Sequence, residues 1–440
     1  MSQSVEYPSP LPAVTNVAEE VRNFYDRYPY PPAVESLDTY RQTWRDPARR
    51  RADHYLFWPD RAYREDLSIL VAGCGTSQAA KHALRWPEAQ VTGIDVSATS
   101  VRCTEELKRR YDLANLQVYQ LPIDRLSDLG KTFDQIVCTG VLHHLEDPDA
   151  GLASLRSVLK QDGAMHLMVY ATYGRTGIYM LQEFCRRTGI RATDEGIRDL
   201  IAALRMLPAG HPLENLLRQA PDFQEETALA DALLHPQDHA YSVPQFFDFI
   251  QRGQMKFGRW VRQAPYSSSC GVMAHLPEAT RITGLPLVEQ YVIAELFRGT
   301  MVRHSAIVYR DDQSASVPPI GFTGNVWLQY VPIRMSETIC LQERLPRGAD
   351  AVLINQTHSY KDLFMVLNHA EKRLFDAIDG HRTIGEILAT SLPREKQSGL
   401  EMSRAFFERL WSHDQVVFDA SARQDSASVT SDSLFEMGKV

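Results

Sequence analysis

The sequence predicts an α/β protein: a mostly parallel sheet covered by helices on both faces, a helical insertion after the fifth strand, and a small α+β unit towards the C-terminal end. Three observations predict it. Over residues 67–170, short apolar and β-branched runs alternate with helix-like stretches. Strands that are joined through helices must run parallel, and helices then cover both faces of the sheet. Residues 176–250 keep a helical pattern broken by prolines, and after a Ser/Pro stretch at 314–319 the periodicity starts afresh.

Taken in order, residues 1–16 are polar and contain several prolines, which predicts a disordered start without the apolar core of a signal peptide. A helix signal spans 17–25 and is broken by Tyr28-Pro29-Tyr30-Pro31-Pro32, and residues 41–66 read as an irregular and helical lead-in. The first strand is 69–72, ending at Gly73, with a helix to Trp86. The second strand is 91–95, with a helix over 98–113; the third is 116–119; the fourth is 133–138, with a helix over 150–160. Asp162-Gly163 predicts a turn before a fifth strand at 164–170. Residues 176–250, with breaks at Pro208, Pro212, Pro221 and Pro236, are too long for an ordinary crossover and read as an inserted cap. Strand-like runs at 256–261 and 304–309 are expected to complete the sheet as an antiparallel edge. Beyond the linker at 314–319, the pattern predicts helices at 363–378, 384–389 and 400–412, a stop at Asp379-Gly380 and a strand at 416–418. The Ser/Asp-rich tail from Ser421 predicts disorder. The expected parts are an N-terminal segment and lid (1–60), a main domain (61–311, core 67–170, cap 176–250), a C-terminal module (320–420) and the tail (421–440).

The 440 residues are enough to bury a large core, and 44% hydrophobic with 23% charged residues is ordinary globular composition. A formal net charge of −8 argues against a dedicated nucleic-acid binder. Cys74, Cys103, Cys138, Cys185, Cys270 and Cys340 are scattered and none forms a CxxC pair, so reduced thiols in a cytoplasmic protein are expected and no zinc site of that type is. No run approaches the length of a membrane span.

The chemistry concentrates where the first strand meets its helix. Gly73-Cys74-Gly75 lets the backbone turn sharply and lets a ligand approach the main chain with no Cβ in the way. Asp95 ends the next strand, where a carboxylate can accept hydrogen bonds from both ribose hydroxyls of an adenosine. These residues imply an adenosine-containing ligand without saying which. Gln78 stands where a dinucleotide fingerprint needs its third glycine. At the fourth strand the chain reads Phe133-Asp134-Gln135-Ile136-Val137-Cys138-Thr139-Gly140-Val141-Leu142-His143-His144-Leu145-Glu146-Asp147-Pro148, and Leu159-Lys160-Gln161-Asp162-Gly163 follows the next helix.

With these motifs in this order, residues 67–170 resemble the methyltransferase type 11/12 group of class I, S-adenosyl-L-methionine-dependent methyltransferases. The resemblance implies a Rossmann-like sheet and methyl transfer to a small-molecule or peptide acceptor. It implies that Gly73, Cys74 and Gly75 flank the methionine and ribose, that Asp95 holds the ribose hydroxyls and Val96 packs on the adenine. It further implies that Ile123 and Asp124 contact the adenine ring and amino group, and that Thr139 holds the methionine amine. His143 and His144 would lie beside the cofactor, as a base for an acceptor that must lose a proton or as groups orienting the loop. Their adjacency argues against a metal site built from the pair. Tyr170, Tyr173 and Arg175 follow the fifth strand on the carboxyl edge, where open α/β sheets bind substrates. The Phe24–Pro31 aromatic cluster is either a lid over the cofactor or surface packing, and the stretch 235–241 is a candidate pocket wall. The family's acidic residue is replaced by Val71, and its frequent glycine by Ser77.

Leu363, Leu367, Leu374, Phe375 and Ile378 fall on one helical face ahead of Asp379-Gly380-His381-Arg382-Thr383-Ile384-Gly385-Glu386-Ile387-Leu388. This stretch resembles the winged-helix fold of PqqD-like peptide-binding modules. Two further readings stay open at this point. One is an NAD-dependent oxidoreductase, which shares Gly73, Gly75 and Asp95 but leaves the Leu142-His143-His144 turn unexplained. The other is a non-catalytic protein that docks a peptide or partner through its C-terminal module.

Overall fold

The computed structural model describes residues 17–219, 225–313, 320–391 and 397–422. The expected disordered start, the break at Pro221, the linker at 314–319 and residues 423–440 of the tail lie outside the described residues.

Helices α1 (Val17–Arg27), α2 (Asp38–Thr43) and α3 (Pro47–Phe57) precede the sheet. Asp46 starts α3 by accepting a hydrogen bond from Ala48 N, ahead of a proline at the first helical position. Then come β1 (Ser68–Ala72), α4 (Gln78–Arg85), β2 (Gln90–Asp95), α5 (Ala98–Tyr111), β3 (Leu116–Gln120), β4 (Phe133–Thr139), α6 (Pro148–Val158) and β5 (Leu159–Ala171). The alternation read from the sequence is present, with one correction. Residues 159–163 do not form a free turn between helix and strand: β5 starts at Leu159, which pairs with Phe133. The register then slips, so that Gln135 faces Ala164. The Asp162-Gly163 pair is absorbed as an irregularity inside the strand rather than ending it.

The insertion holds α7 (Thr176–Thr188), α8 (Asp194–Arg205), α9 (Glu214–Gln219) and α10 (Glu226–Leu233). Its last part departs from an all-helical cap. Strand β6 (Ala240–Tyr241) pairs parallel to the end of β5, and α11 (Val243–Arg252) buries Phe246, Phe249 and Ile250 in the main core. The prolines that break the helices allow this return to the sheet. Strand β7 (Met255–Trp260), helices α12 (Ala279–Thr283) and α13 (Leu287–Arg298), and β8 (Arg303–Arg310) complete the domain. Among the described residues the sheet runs β3-β2-β1-β4-β5-β8-β7, with β8 antiparallel to both β5 and β7, so the expected antiparallel edge is present. The five parallel strands are wound Rossmann-like, and their order reverses between β1 and β4, the switch point outside which open α/β sheets bind ligands.

The C-terminal part is α+β, with β9 (Val331–Arg334), β10 (Thr338–Leu341), β11 (Ala351–Asn355), β12 (Phe364–Leu367), α14 (His369–Asp376), α15 (Ile384–Ser391), α16 (Gln397–Ser412) and β13 (Val416–Asp419). The helix expected at 363–378 is half strand. Leu367 ends β12, and α14 starts only after Asn368, whose side chain accepts from Glu371 N while the Glu371 carboxylate accepts from Asn368 N. That capping box fixes the helix start. Met365 and Leu367 are nonetheless buried with Leu374 and Phe375, because the β12 face and the α14 face close on one side, whereas Leu363 is buried against Ala264 and Cys270. Strand β13 pairs antiparallel with β9, and both pack on α3, where the Tyr55 hydroxyl donates to Asp419 at 2.6 Å. No described helix is long and apolar enough to cross a membrane.

Candidate active site

A cavity of about 1000 Å³ opens at the carboxyl edge of β1, β2, β4 and β5. Its floor at the switch point is main chain. Gly73 and Gly75 sit at φ +69° and +52°, a left-handed conformation that side chains resist. A Cβ at Gly73 would collide with Val141, and one at Gly75 would press on Pro31 Cδ at 3.2 Å and the Tyr30 carbonyl at 3.3 Å. The loop is anchored from outside β1. Asp95 accepts from Gly75 N at 2.8 Å and Ser97 N at 2.9 Å, Thr104 donates to the Gly75 carbonyl at 2.9 Å, and Cys74 N donates to Ile94 O at 2.8 Å. These bonds hold the loop without an acid at position 71. Burial raises the Asp95 carboxyl above its ordinary value, against the lowering effect of the Ser97 and Gly75 amides. A carboxylate has about four acceptor positions, so acceptor capacity is left for a ligand hydroxyl.

Gly73, Gly75, Asp95, Val96, Ile123, Asp124 and Thr139 all line the cavity, as do Tyr170 and Arg175. Three residues singled out from the sequence do not: Cys74, Tyr173 and His143. Cys74 is fully buried with its sulfur against Gly93, because the turn aims its side chain away from the ligand edge. Tyr173 lies in the 3-10 turn Tyr173–Arg175 and is exposed. The residues therefore fit an adenosine-bearing ligand through backbone, the remaining acceptor capacity of the Asp95 carboxylate and apolar contacts.

The histidine pair separates. His143 is 0% exposed, does not line the cavity, and stacks on Tyr170 at 3.8 Å between ring centroids. Burial and the neighbouring His144 hold it neutral. His144 does line the cavity. Its Nδ1 donates to the Gln237 carbonyl at 2.7 Å, which leaves the Nε2 lone pair bare, and burial lowers its pKa to about 4. A group with so low a pKa is a weak base near neutrality.

The cap supplies what the sequence did not reveal. Asp231, on α10, accepts from Tyr25 Oη at 2.9 Å and from Tyr170 Oη at 3.4 Å. Burial raises its pKa to about 6. Ligand-type atoms of His144, Asp231 and His235 lie within 4.8 Å of one another. A metal cluster is nonetheless chemically mismatched here. Gln237 N donates to His235 Nδ1 at 3.1 Å, so the neutral ring carries its proton on Nε2 and has no lone pair there for a cation. Arg175 is buried, pairs with Asp238 at 3.1 Å and lies over the Tyr170 ring at 3.4 Å. It braces the wall. From the other side, Tyr25, Tyr30 and Pro31 of the N-terminal aromatic cluster border the cavity, held by Thr76 donating to Pro31 O at 2.9 Å and Ser97 donating to Asp26 at 2.8 Å.

His166, Met168 and Tyr170 alternate along β5 and share its cavity face. That period of two was the signal for His166. Nothing local marked Asp231, in a short apolar helix, or Arg262, Arg303 and residues 357–360, which also line the cavity.

Residues 70–165 match the family model described as a methyltransferase domain. The chain is 34% identical over 273 residues to an uncharacterised Synechococcus protein, covering 58% of this chain and 64% of that protein. It is 31% identical over 123 residues to the malonyl-[acyl-carrier protein] O-methyltransferase of Halalkalibacterium halodurans, covering 27% and 44%. The chain thus spans less than two thirds of the length of either relative. Among solved structures, PKMT2 from Rickettsia typhi in complex with AdoHcy shares the fold, with a TM-score of 0.60, 15% identity, and 86% of this chain and 76% of that chain covered. Residues 70–165 are a class I methyltransferase domain, a family whose methyl donor is S-adenosylmethionine.

Proposed function

We propose, from the premise that residues 70–165 are a class I methyltransferase domain, that the whole protein moves a methyl group from S-adenosylmethionine to a small acceptor held in the same cavity. One observation carries the reading. The residues expected to hold the donor line a cavity that continues past them to a second end walled by the cap, β8 and residues 357–360. About 1000 Å³ is at the top of the range for a single ligand site, and leaves room for two small molecules side by side.

When bound, the cofactor supplies an electrophilic methyl group on a sulfonium, open to in-line displacement. The protein's part is to orient and to exclude water. Asp95 binds the ribose hydroxyls, Val96 and Ile123 pack on the adenine, Asp124 meets its amino group and the Thr139 carbonyl meets the methionine amine. Tyr25, Tyr30 and Pro31 cover the donor. At the acceptor end Asp231 has a proton affinity near neutrality, and it replaces His143 and His144 as the candidate base. The Tyr25 and Tyr170 hydroxyls position its two oxygens.

Calorimetry with S-adenosylhomocysteine tests the donor half. Asp95→Ala should weaken binding by ~1.5–3 kcal/mol, the loss of charge-assisted bonds to both hydroxyls. Unchanged affinity, or tighter binding of NAD by the wild type, would overturn the assignment. An untargeted comparison of methylated products in cells with and without the protein tests the acceptor half.

A further inference from the structure

Two guanidiniums line the cavity beside β8 and the 357–360 loop. Arg303, on β8 opposite Tyr170, is exposed to the cavity, and among the described residues it forms no ion pair. Arg262 lines the same cavity, donating through Nε to Thr357 Oγ1 and through Nη1 to the Val261 carbonyl at 3.1 Å. Neither bond neutralises its charge. The nearby carboxylate, Asp414, is already committed to Arg259 at 3.2 Å, His358 at 3.1 Å, Gln263 N at 3.2 Å and Ala264 N at 3.0 Å. Both guanidiniums act on His166 through their charge. Burial first, then Arg85, Arg262 and Arg303, push its imidazole down to about 4, so it adds a neutral polar group and not a third charge. Its Nε2 meets Ser305 Oγ at 2.7 Å.

The wall that keeps Arg262 in place comes from the C-terminal part. Asn355 accepts from Thr357 N at 3.0 Å and Thr357 Oγ1 at 2.6 Å, and donates to the Asp414 carbonyl at 2.6 Å. Tyr360 meets Thr300 at 3.2 Å and lies under Arg298 at 4.4 Å. This loop is held on both sides and carries Thr357, His358, Ser359 and Tyr360 into the cavity lining.

We infer that Arg262 and Arg303 form an anion subsite, and that the methyl acceptor is a small molecule bearing a carboxylate or phosphate anchored there, with the 357–360 loop closing over it. Planar guanidiniums suit both anions, since each donates in a fork that matches two oxygens. Two like charges facing one cavity repel until a ligand supplies the opposite charge. The inference rests on the methyltransferase reading and deepens it.

The test is thermal-shift titration of full-length protein loaded with S-adenosylhomocysteine. The probes are benzoate, phenyl phosphate and uncharged benzamide, tried on wild type, Arg262→Gln, Arg303→Gln and the double variant. The expected result is that at least one anionic probe raises the melting temperature and benzamide does not. The double variant should lose tenfold or more in anion affinity while holding S-adenosylhomocysteine within twofold of wild type. Whichever anion binds tighter identifies the source chemistry. The inference fails if benzamide matches the anions, if neither anion binds wild type, or if anion binding survives in the double variant. Failure of wild type to bind S-adenosylhomocysteine sinks the methyltransferase reading instead, so the two failures are distinct.

Discussion

At the carboxyl edge of β1 and β2 the cavity wall is main chain. Two glycines in left-handed conformation, the amides of Gly75 and Ser97, and one carboxylate make a surface that needs few particular side chains. Away from it the wall is side chain, drawn from stretches far apart in the chain: Tyr170 on β5, Asp231 on α10, Arg303 on β8 and Tyr360 in the C-terminal part. The main-chain end is therefore set by local geometry. The side-chain wall depends on the whole tertiary assembly and carries the buried charge. Such charge is expensive unless it is paired.

That contrast can be broken at three points of decreasing size. Arg175 and Asp238 pair with their side chains only 7% and 4% exposed, and Arg175→Met strands the carboxylate. A loss of ~3–5 kcal/mol in urea unfolding is expected. S-adenosylhomocysteine affinity measured well below the new melting point should stay near wild type. A loss under ~1 kcal/mol would mean that this pair does not brace the acceptor wall.

Asp231 gives the next effect, of opposite sign. Its folded pKa of about 6 lies above the unfolded carboxyl value, so the folded state binds the proton more tightly. Stability should thus rise as pH falls through 6 and level off near 4, and the ionised group costs stability above 6. Asp231→Asn should therefore stabilise the protein at pH 8, by at most ~3 kcal/mol, with no gain near pH 4. Once an acceptor is in hand, wild-type turnover should fall below pH 6, and the variant should have lost turnover without losing donor affinity. A variant less stable at pH 8 than at pH 4, relative to wild type, would remove Asp231 from the acceptor end.

The smallest effect sharpens the donor end. Thr76→Val removes the bond to the Pro31 carbonyl, and the N-terminal cover loses ~0.5–1.5 kcal/mol of hold. S-adenosylhomocysteine should bind severalfold more weakly, with faster dissociation in stopped flow. Unchanged dissociation would mean that the aromatic cluster packs on the surface and does not retain the donor.

The legibility of the two ends follows the same division. Gly73, Gly75 and Asp95 were readable because a strand-to-helix turn and a strand-end carboxylate are features of local order and spacing. Ile123, Asp124 and Thr139 followed once the motif order was recognised. Cys74 was misplaced because position in a motif does not say which way a side chain turns. His143 was expected beside the cofactor because two adjacent histidines look alike in sequence, and only packing put one under Tyr170 and the other on the cavity. The C-terminal helix was drawn too long because β12 and α14 place their apolar residues on one side, so the period of two was hidden inside a period of 3.6.

By itself the sequence determined the alternation of strand and helix, the parallel sheet, its antiparallel edge and the glycine turn with the strand-end carboxylate that line the cavity. Each of these depends on neighbours a few residues apart or on the spacing of consecutive elements. The tertiary structure alone decided the side-chain wall of the cavity. Asp231 became a carboxyl of raised pKa only when folding took it from water and set two tyrosine hydroxyls on it. Arg262 and Arg303 came to line one cavity only when the C-terminal loop and β8 met around the same space. Burial and charge proximity are properties of three-dimensional neighbours, and a linear pattern carries no record of them.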